Sequence, residues 1–289
     1  MKQILIADSG STKTDWALLN ADRCWVMGEG TQECSMLKTQ GINPFHMDEQ
    51  TISDILENEL KPQLLSHHPT AIFFYGSGVR PELEDKMMRL LKAAFPEAEK
   101  IEAKSDLLGA ARALCGHQEG IACILGTGAN TCLYDGQRIV QNTPALGYVL
   151  GDEGSGANLG IRFLNALYKN QLPTHVKEFF EQEGFTLKDI IDRVYCQPMA
   201  NRFLASLSPF IHQHLDVPEV NALVDDCFRT FVEKNIVAYG RKDLPVSAVG
   251  SVAFFYKEQL KKAVENAGYT LGRILRSPID GLVEMEQFG

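Results

Sequence analysis

The chain has 289 residues, a formal net charge of −9 and an apolar share of 45 %. A prior of one domain per ~150 residues predicts two domains, and the composition excludes a disordered, collagen-like or disulfide-rich protein. An acidic chain without a lysine and arginine cluster is a poor partner for nucleic acid or an anionic membrane. The first apolar run, Ile4–Ala7, is far shorter than the ~7–15 residues of a signal-peptide core, so a cytoplasmic protein is expected.

The N-terminal third alternates between strand and helix. Predicted strands at 3–7 and 16–19 flank a polar turn, Asp8–Asp15, which indicates a hairpin. A third strand is predicted at 24–27. The elements predicted after it are helix 48–65, strand 71–75, helix 81–95 and helix 105–115. This alternation predicts an α/β fold with a mixed sheet.

The pattern then begins again in the second half of the chain. A predicted strand at 121–125 leads into a turn of small residues, 126–130, and a returning strand at 131–134. Gly10 and Gly128 occupy matching places in the two turns, 118 residues apart. We therefore predict two related domains, 1–105 and 106–276, with the segment 277–289 completing the first.

The turn between the first two strands has the chemistry of a phosphate-binding loop. Gly10, Ser11, Thr12 and Lys13 provide backbone N–H groups, hydroxyl donors and an ammonium, and small side chains let anionic oxygens approach. Asp8 precedes them at the end of the strand and could hold a hydrated Mg²⁺ ion. An ordinary β-hairpin turn explains the same residues equally well.

Two later turns are further candidates for binding a nucleotide. Thr127 and Gly128 repeat the chemistry of the first turn, and Gly250-Ser251 ends a predicted strand immediately before a helix. Tight turns are again the alternative explanation. The chain has no GxxxxGK[ST] and no GxGxxG that follows a strand and opens a helix, which excludes P-loop and dinucleotide-binding domains.

Three carboxylates are candidates for catalysis or for binding a sugar. Asp106 opens a predicted helix, where it could accept the proton of an acceptor hydroxyl in phosphoryl transfer or only interact with the helix dipole. Asp152 and Glu153 lie in a glycine-rich stretch, Gly151–Gly156, just before another helix. A carboxylate pair in such a turn suits the hydroxyls of a sugar, and helix capping is the alternative.

In this order, the motifs resemble one family. Asp8-x-Gly10-Ser11-Thr12, Gly126-Thr127-Gly128-x-Asn130, Gly151-Asp152-Glu153-Gly154-Ser155 and Gly250-Ser251-Val252 are typical of the N-acetylglucosamine kinase-like branch of the sugar kinase, actin and heat-shock ATPase superfamily. The resemblance covers essentially the whole chain. It implies two ribonuclease H-like domains, with mixed sheets flanked by helices, and a cleft between them for ATP, Mg²⁺ and a small-molecule sugar.

The resemblance also implies roles for single residues. Asp106 matches the catalytic aspartate. The positions that match ATP-binding residues are Gly10, Ser11, Thr12, Lys13, Thr127, Gly128, Gly250 and Ser251. The positions that match sugar-contacting residues are Asn43, Gly147 and Asp152, with Asp106. Two departures stand out: Ala145-Leu146-Gly147 replaces a common Gly-Trp-Gly, and Ser9 replaces a common glycine.

The same branch contains activator ATPases of benzoyl-CoA reductase and 2-hydroxyacyl-CoA dehydratase, which deliver electrons through a [4Fe–4S] cluster shared across a dimer. Such a protein needs interfacial thiolates. Seven cysteines are scattered along the chain, and those nearest one another are Cys115, Cys123 and Cys132. Cys123 and Cys132 fall inside predicted strands, which favours the sugar kinase. The oligomeric state is left open, with a homodimer as one option.

Overall fold

The computed structural model describes residues 3–10, 12–20 and 34–288. Ser11 and the strand predicted at 24–27 lie outside the described residues. Contacts within the chain define two compact units: Met1–His117 with Ser277–Gly289, and Gln118–Arg276.

The boundary between the units falls one helix later than the 105/106 position expected from the sequence. The helix that begins at Asp106 belongs to the first unit because it packs tightly against the C-terminal helix. A Cβ atom on Gly281 would lie 2.3 Å from the carbonyl oxygen of Ala113, so only glycine permits this approach.

A mixed sheet of five strands forms the centre of the first unit. Its strands are β1 (Gln3–Ser9), β2 (Lys13–Asn20), β3 (Cys34–Gln40), β4 (Ala71–Gly76) and β5 (Lys100–Ser105), in the spatial order β3-β2-β1-β4-β5. β2 runs antiparallel to β1 and β3, whereas β1, β4 and β5 are parallel. Ser9 pairs with Gly76 and Gly76 with Ser105, so three strands end at the same edge.

Helices cover this sheet. They are α1 (Glu49–Ile55), α2 (Lys61–Leu64), α3 (Pro81–Ala94), α4 (Asp106–Cys115) and the C-terminal α14 (Pro278–Phe288), with a π-helical turn, Leu56–Leu60, between α1 and α2. Asp48 caps α1 as predicted, accepting the N–H of Thr51 at 2.7 Å. The wide turn ends two residues before Pro62, whose nitrogen cannot donate a regular helical hydrogen bond.

The second unit repeats the sheet of the first. Its strands are β6 (Glu119–Leu125), β7 (Ala129–Asp135), β8 (Ile139–Thr143), β9 (Pro245–Val249) and β10 (Thr270–Leu275), in the order β10-β9-β6-β7-β8. The antiparallel meander β6-β7-β8 corresponds to β1-β2-β3, and β9 and β10 lie parallel to β6 as β4 and β5 lie to β1. The predicted repetition is confirmed at the level of topology, and so is the α/β class.

The second unit is also the more helical. Its helices are α5 (Gly147–Leu150), α6 (Gly156–Tyr168), α7 (Thr174–Gln182), α8 (Leu187–Tyr195), α9 (Ala200–Ser206), α10 (Ser208–Gln213), α11 (Pro218–Phe231), α12 (Ser251–Phe255) and α13 (Lys257–Asn266). A π-helical turn, Val232–Ile236, and a 3₁₀ turn, Val237–Tyr239, extend α11. The rings of Phe163, Phe180 and Phe210 meet at centroid distances of 5.3 to 5.6 Å in the core. Within the described ranges, no helix is long and apolar enough to cross a membrane.

Candidate functional site

The two carboxylates predicted for phosphoryl transfer lie at one edge of the first sheet. Asp8 is the penultimate residue of β1, and Asp106 directly follows β5 as the first residue of α4. The strands β1 and β5 are two positions apart in the sheet, which sets their carboxyl ends roughly 10 Å apart. Both carboxylates therefore belong to the edge at which the parallel strands end.

The carboxyl group of Asp8 lies in a negative environment. Burial raises its pKa to about 7, and the charges of Asp106 and Asp15 act in the same direction, while Lys13 opposes them. Among the residues described, no three His, Cys, Asp or Glu side chains form a metal-binding group. The two carboxylates at this edge, Asp8 and Asp106, fit Mg²⁺, because this ion binds one or two carboxylates and takes its remaining ligands from phosphate and water.

The raised pKa of Asp8 predicts a pH-dependent stability. In the folded state, Asp8 keeps its proton to a higher pH than in the unfolded state, where its pKa is 3.8. The contribution of this proton to stability is therefore full below pH 3.8 and is lost as pH rises through about 7. Asp8→Asn removes the buried charge. We expect it to increase the free energy of unfolding by up to about 4 kcal/mol at pH 8, at ~1.4 kcal/mol per pKa unit over the rise from 3.8 to about 7, and to change it little at pH 4.

Urea unfolding of wild type and Asp8→Asn at both pH values measures this difference. Asp85→Asn, which changes an exposed aspartate on α3, is the matched control and should be neutral at both. An Asp8→Asn effect that is the same at pH 4 and pH 8 would contradict the electrostatic account of Asp8.

The first predicted phosphate loop is the exposed turn between β1 and β2. The N–H of Gly10 donates to the carbonyl of Lys13 at 3.0 Å, which closes the turn. Thr12 is exposed, whereas the ammonium of Lys13 lies 2.5 Å from the carboxylate of Asp15. Among the described residues, the Thr12 side chain is therefore accessible, and Lys13 has a carboxylate partner within its own strand.

Asn43, a predicted sugar contact, lies in the turn that follows β3. Its Oδ1 accepts the N–H of Phe45 at 3.0 Å, which fixes the orientation of the amide. The Nδ2 group is therefore the part of Asn43 that can donate to a ligand. Gly78 packs directly on this amide: a Cβ atom there would lie 2.1 Å from Oδ1 of Asn43.

Asp106 combines a helix-terminal position with a raised pKa. Ser105 caps α4 by accepting the N–H of Leu108 at 3.3 Å, and Oδ1 of Asp106 accepts the N–H of Leu107 at 2.8 Å. Burial raises the pKa of Asp106, against the backbone hydrogen bonds that lower it. A more basic carboxylate is a better proton acceptor, so capping and general-base chemistry are compatible in this residue.

In the second unit, Asp152 packs on the second predicted phosphate loop. This loop joins β6 to β7 and contains Thr127, which is exposed, and Gly128. The Asp152 carboxylate accepts the N–H of Ala129, and a Cβ on Gly128 would lie 2.9 Å from its Oδ2. Burial raises the pKa of Asp152 to about 6, the Ala129 bond opposes this, and Glu153 adds to the rise.

The segment that departs from the family pattern holds the backbone of Asp152. The N–H of Asp152 donates to the carbonyl of Ala145 at 3.0 Å, and that of Gly151 donates to Gly147 at 2.8 Å. Asp152 has φ of 55° and Leu146 of 64°, values that L-residues rarely adopt. The predicted residues Gly147 and Asp152 therefore share one locally strained loop. Backbone strain of this kind is often found at binding sites.

Gly250 also contacts the region of the second loop. It joins β9 to α12, which begins at the exposed Ser251, and has φ of 122°. A Cβ atom on Gly250 would lie 2.3 Å from the carbonyl oxygen of Leu125, the residue before the loop. The second unit thus brings Thr127, Gly128, Asp152 and Gly250 together.

Glu153, the neighbour of Asp152, has hydrogen-bond partners of its own in the second unit. Its carboxylate accepts hydrogen bonds from Lys234 at 2.9 Å and Asn235 at 3.4 Å, both from the π-helical turn after α11. Burial alone would raise the pKa of Glu153, but these donors bring it below its usual range. Glu153 therefore anchors the glycine-rich loop, a role that the sequence could not reveal because its partners lie some 80 residues away.

Among the described cysteines, the three nearest one another in sequence, Cys115, Cys123 and Cys132, are poorly suited to bind a cluster as thiolates. None of the six described cysteines forms a disulfide. Cys123 and Cys132 are fully buried in strands β6 and β7, as predicted. Burial raises the pKa of the Cys115 thiol to about 11, which keeps it protonated at neutral pH.

Three solved structures are similar to this chain over nearly its full length. A Porphyromonas gingivalis protein provisionally assigned as an N-acetylglucosamine kinase is 44% identical, with 99% of each chain covered and a TM-score of 0.91. A Chromobacterium violaceum protein with the same provisional assignment has 20% identity, 99% coverage of both chains and a TM-score of 0.64. A Streptomyces griseus glucokinase of the ROK family, determined with glucose and AMPPNP, has 13% identity, 99% coverage of both chains and a TM-score of 0.54.

The last two similarities concern the fold alone. No protein-family model matches the chain, and no curated protein matches it.

Proposed function

Because the chain belongs to the N-acetylglucosamine kinase-like branch of the sugar kinases, we propose that it transfers a phosphoryl group from ATP to a hydroxyl of N-acetylglucosamine or a related amino sugar. The observation that carries the proposal is the convergence of four features at one edge of the first sheet. These are the Asp8 carboxylate, the exposed turn at Gly10–Lys13, the Asn43 amide and the Asp106 carboxylate.

In this proposal, Asp106 accepts the proton of the attacking hydroxyl, because its raised pKa makes it the stronger base. The Nδ2 group of Asn43 donates to the sugar, and the backbone N–H groups and hydroxyls of the two turns bind phosphate oxygens. Asp8 would hold Mg²⁺, directly or through water, and the ion would supply positive charge at the phosphates.

The second unit contributes the remaining groups of the proposal. Thr127 and Gly128 bind phosphate, Gly250 and Ser251 lie against the adenosine, and Asp152 accepts hydrogen bonds from sugar hydroxyls. The positive φ and close backbone approach at Gly250 support its part, because a side chain there would collide with the end of β6.

The activator ATPase is not favoured. The most similar of the three structures comes from a protein with a sugar kinase assignment. In addition, the described cysteines near the repeated turns are buried or have a raised thiol pKa.

The test is ADP production by the purified protein with ATP and Mg²⁺ across a panel of hexoses and N-acetylhexosamines. We expect slow turnover without sugar and strong stimulation by N-acetylglucosamine or a close amino sugar, since the acceptor completes the closed site. Anaerobically purified protein should be colourless and free of iron. ADP production that no sugar changes, from a brown protein that contains iron, would contradict the kinase and support the activator.

A further inference from the structure

Ser9 is a buried hydroxyl at the junction of the predicted metal and phosphate residues. It is the last residue of β1, between Asp8 and Gly10, and it is 0 % exposed. The resemblance gives it no role, since many relatives have glycine there. A buried hydroxyl is costly unless it is hydrogen-bonded, so its partners show what it does.

The Ser9 hydroxyl binds both backbone groups of Ile42, the residue before Asn43. Oγ accepts the N–H of Ile42 at 2.9 Å and lies 3.0 Å from its carbonyl oxygen. Oγ also lies 2.7 Å from the hydroxyl of Thr14, which in turn lies 3.0 Å from the carbonyl of Gln40. The hydroxyls of Ser9 and Thr14 therefore attach the 40–42 segment to the β1–β2 hairpin.

The backbone of Ser9 reaches Asn43 by a second route. Its carbonyl accepts the N–H of Ser77 at 2.8 Å. Ser77 precedes Gly78, whose backbone packs directly on the Asn43 amide. Ser9 thus holds two segments that position Asn43: the residues before Asn43 in the chain, and the turn that contacts the Asn43 side chain. Because Asp8 directly precedes Ser9, these bonds connect Asn43 with the end of β1.

We propose that Ser9 is a positioning residue for the sugar. Through its hydroxyl, Ser9 fixes the position of the Asn43 amide relative to the end of β1, where Asp8 lies. This inference rests on the proposed function. It predicts that loss of the Ser9 hydroxyl affects the binding of the sugar more than that of ATP. The hydroxyl holds the segment before Asn43, whereas Gly10 and Lys13 are joined by a backbone hydrogen bond of their own.

The test is the pair of Michaelis constants in Ser9→Ala, which loses the Ile42 and Thr14 bonds and keeps the Ser77 bond. We expect the KM for the sugar to increase roughly ten-fold, the scale of one or two hydrogen bonds, with the KM for ATP changed by less than about two-fold. Ser9→Cys, similar in size but a weaker hydrogen-bonding group, should give an intermediate KM for the sugar. Thr14→Val should shift the same constant in the same direction.

Thr70→Val is the matched control. The Thr70 hydroxyl donates to the carbonyl of Gln3 at 3.1 Å, at the opposite end of β1, so its loss should leave the KM for the sugar unchanged. Amide hydrogen exchange adds a readout that does not depend on activity. Exchange at Ile42 should accelerate in Ser9→Ala, while exchange in the inner strand β4 should not.

Four results would overturn the inference. An unchanged sugar KM in both Ser9→Ala and Thr14→Val, or an equal increase in the KM values for sugar and ATP, would reduce Ser9 to a structural residue. Unchanged exchange at Ile42 would refute the contact itself. If wild type shows no sugar-dependent turnover, the proposed function fails and the role of Ser9 fails with it, whereas normal wild-type turnover with an unaffected Ser9→Ala refutes Ser9 alone.

Discussion

Asp106→Asn is expected to lower kcat by at least ~100-fold, the scale at which a general base contributes to catalysis. Asparagine keeps the size of the side chain and can still accept the N–H of Leu107 at the start of α4, but it cannot take the hydroxyl proton. The KM for ATP should therefore change little, and the melting temperature should not fall, because the substitution removes a buried charge. Steady-state kinetics with saturating sugar and ATP measure the effect.

Asp48→Asn is the matched control for this prediction. Asp48 also accepts a backbone N–H at a helix start, that of α1, and has no predicted role in the site. Its replacement should leave kcat unchanged. Near-normal turnover in Asp106→Asn would mean that Asp106 only interacts with the dipole at the start of its helix.

Asp152→Ala is expected to lower kcat/KM for the sugar by ten-fold or more. A charge-assisted hydrogen bond to a sugar hydroxyl contributes ~1.5–3 kcal/mol, and the carboxylate that provides it disappears. Because the pKa of Asp152 is raised to about 6, the wild-type kcat/KM should fall as pH drops below about 6. Asp8 and Asp106, whose pKa values are also raised, contribute to the same acid limb, so Asp152→Asn should make the decline in kcat/KM shallower without removing it.

Asp135→Ala separates this effect from a general loss of structure. Asp135 also accepts backbone N–H groups in a turn of the second unit, those of Gln137 and Arg138 at 2.9 and 2.8 Å. Its removal should lower the melting temperature without changing kcat/KM for the sugar. A silent Asp152→Ala, with the same kcat/KM as Asp135→Ala, would refute the role of Asp152 in sugar binding.

The sequence predicted the central strands well because they are apolar. β4 is buried at every position, and β1 and β6 at most of theirs, so their runs of hydrophobic residues stand out. The four strands that were not predicted, β3, β5, β8 and β10, are the outer strands of the two sheets. Their residues are mostly exposed or half-buried, which leaves no apolar run to identify them.

The site residues divide in a similar way. The motifs predicted the turn residues and the capped start of α4, because glycine, hydroxyl and carboxylate positions follow from local geometry. The contact of Asp152 with Gly128 and the bonds of Ser9 to Ile42 join segments that are distant in the chain. No local pattern encodes such pairs. The one indication in the sequence was Ser9 itself, a serine at a position where many relatives have glycine.

The most direct test of the central claim is the identity of the product. Wild-type protein incubated with ATP, Mg²⁺ and N-acetylglucosamine, or the amino sugar that best stimulates ADP production, should convert the sugar into a species heavier by one phosphoryl group. Mass spectrometry should find this product in an amount equal to the ADP formed, and Asp106→Asn should form almost none. ADP that accumulates while the sugar keeps its original mass would show hydrolysis instead of transfer and would contradict the assignment as a sugar kinase.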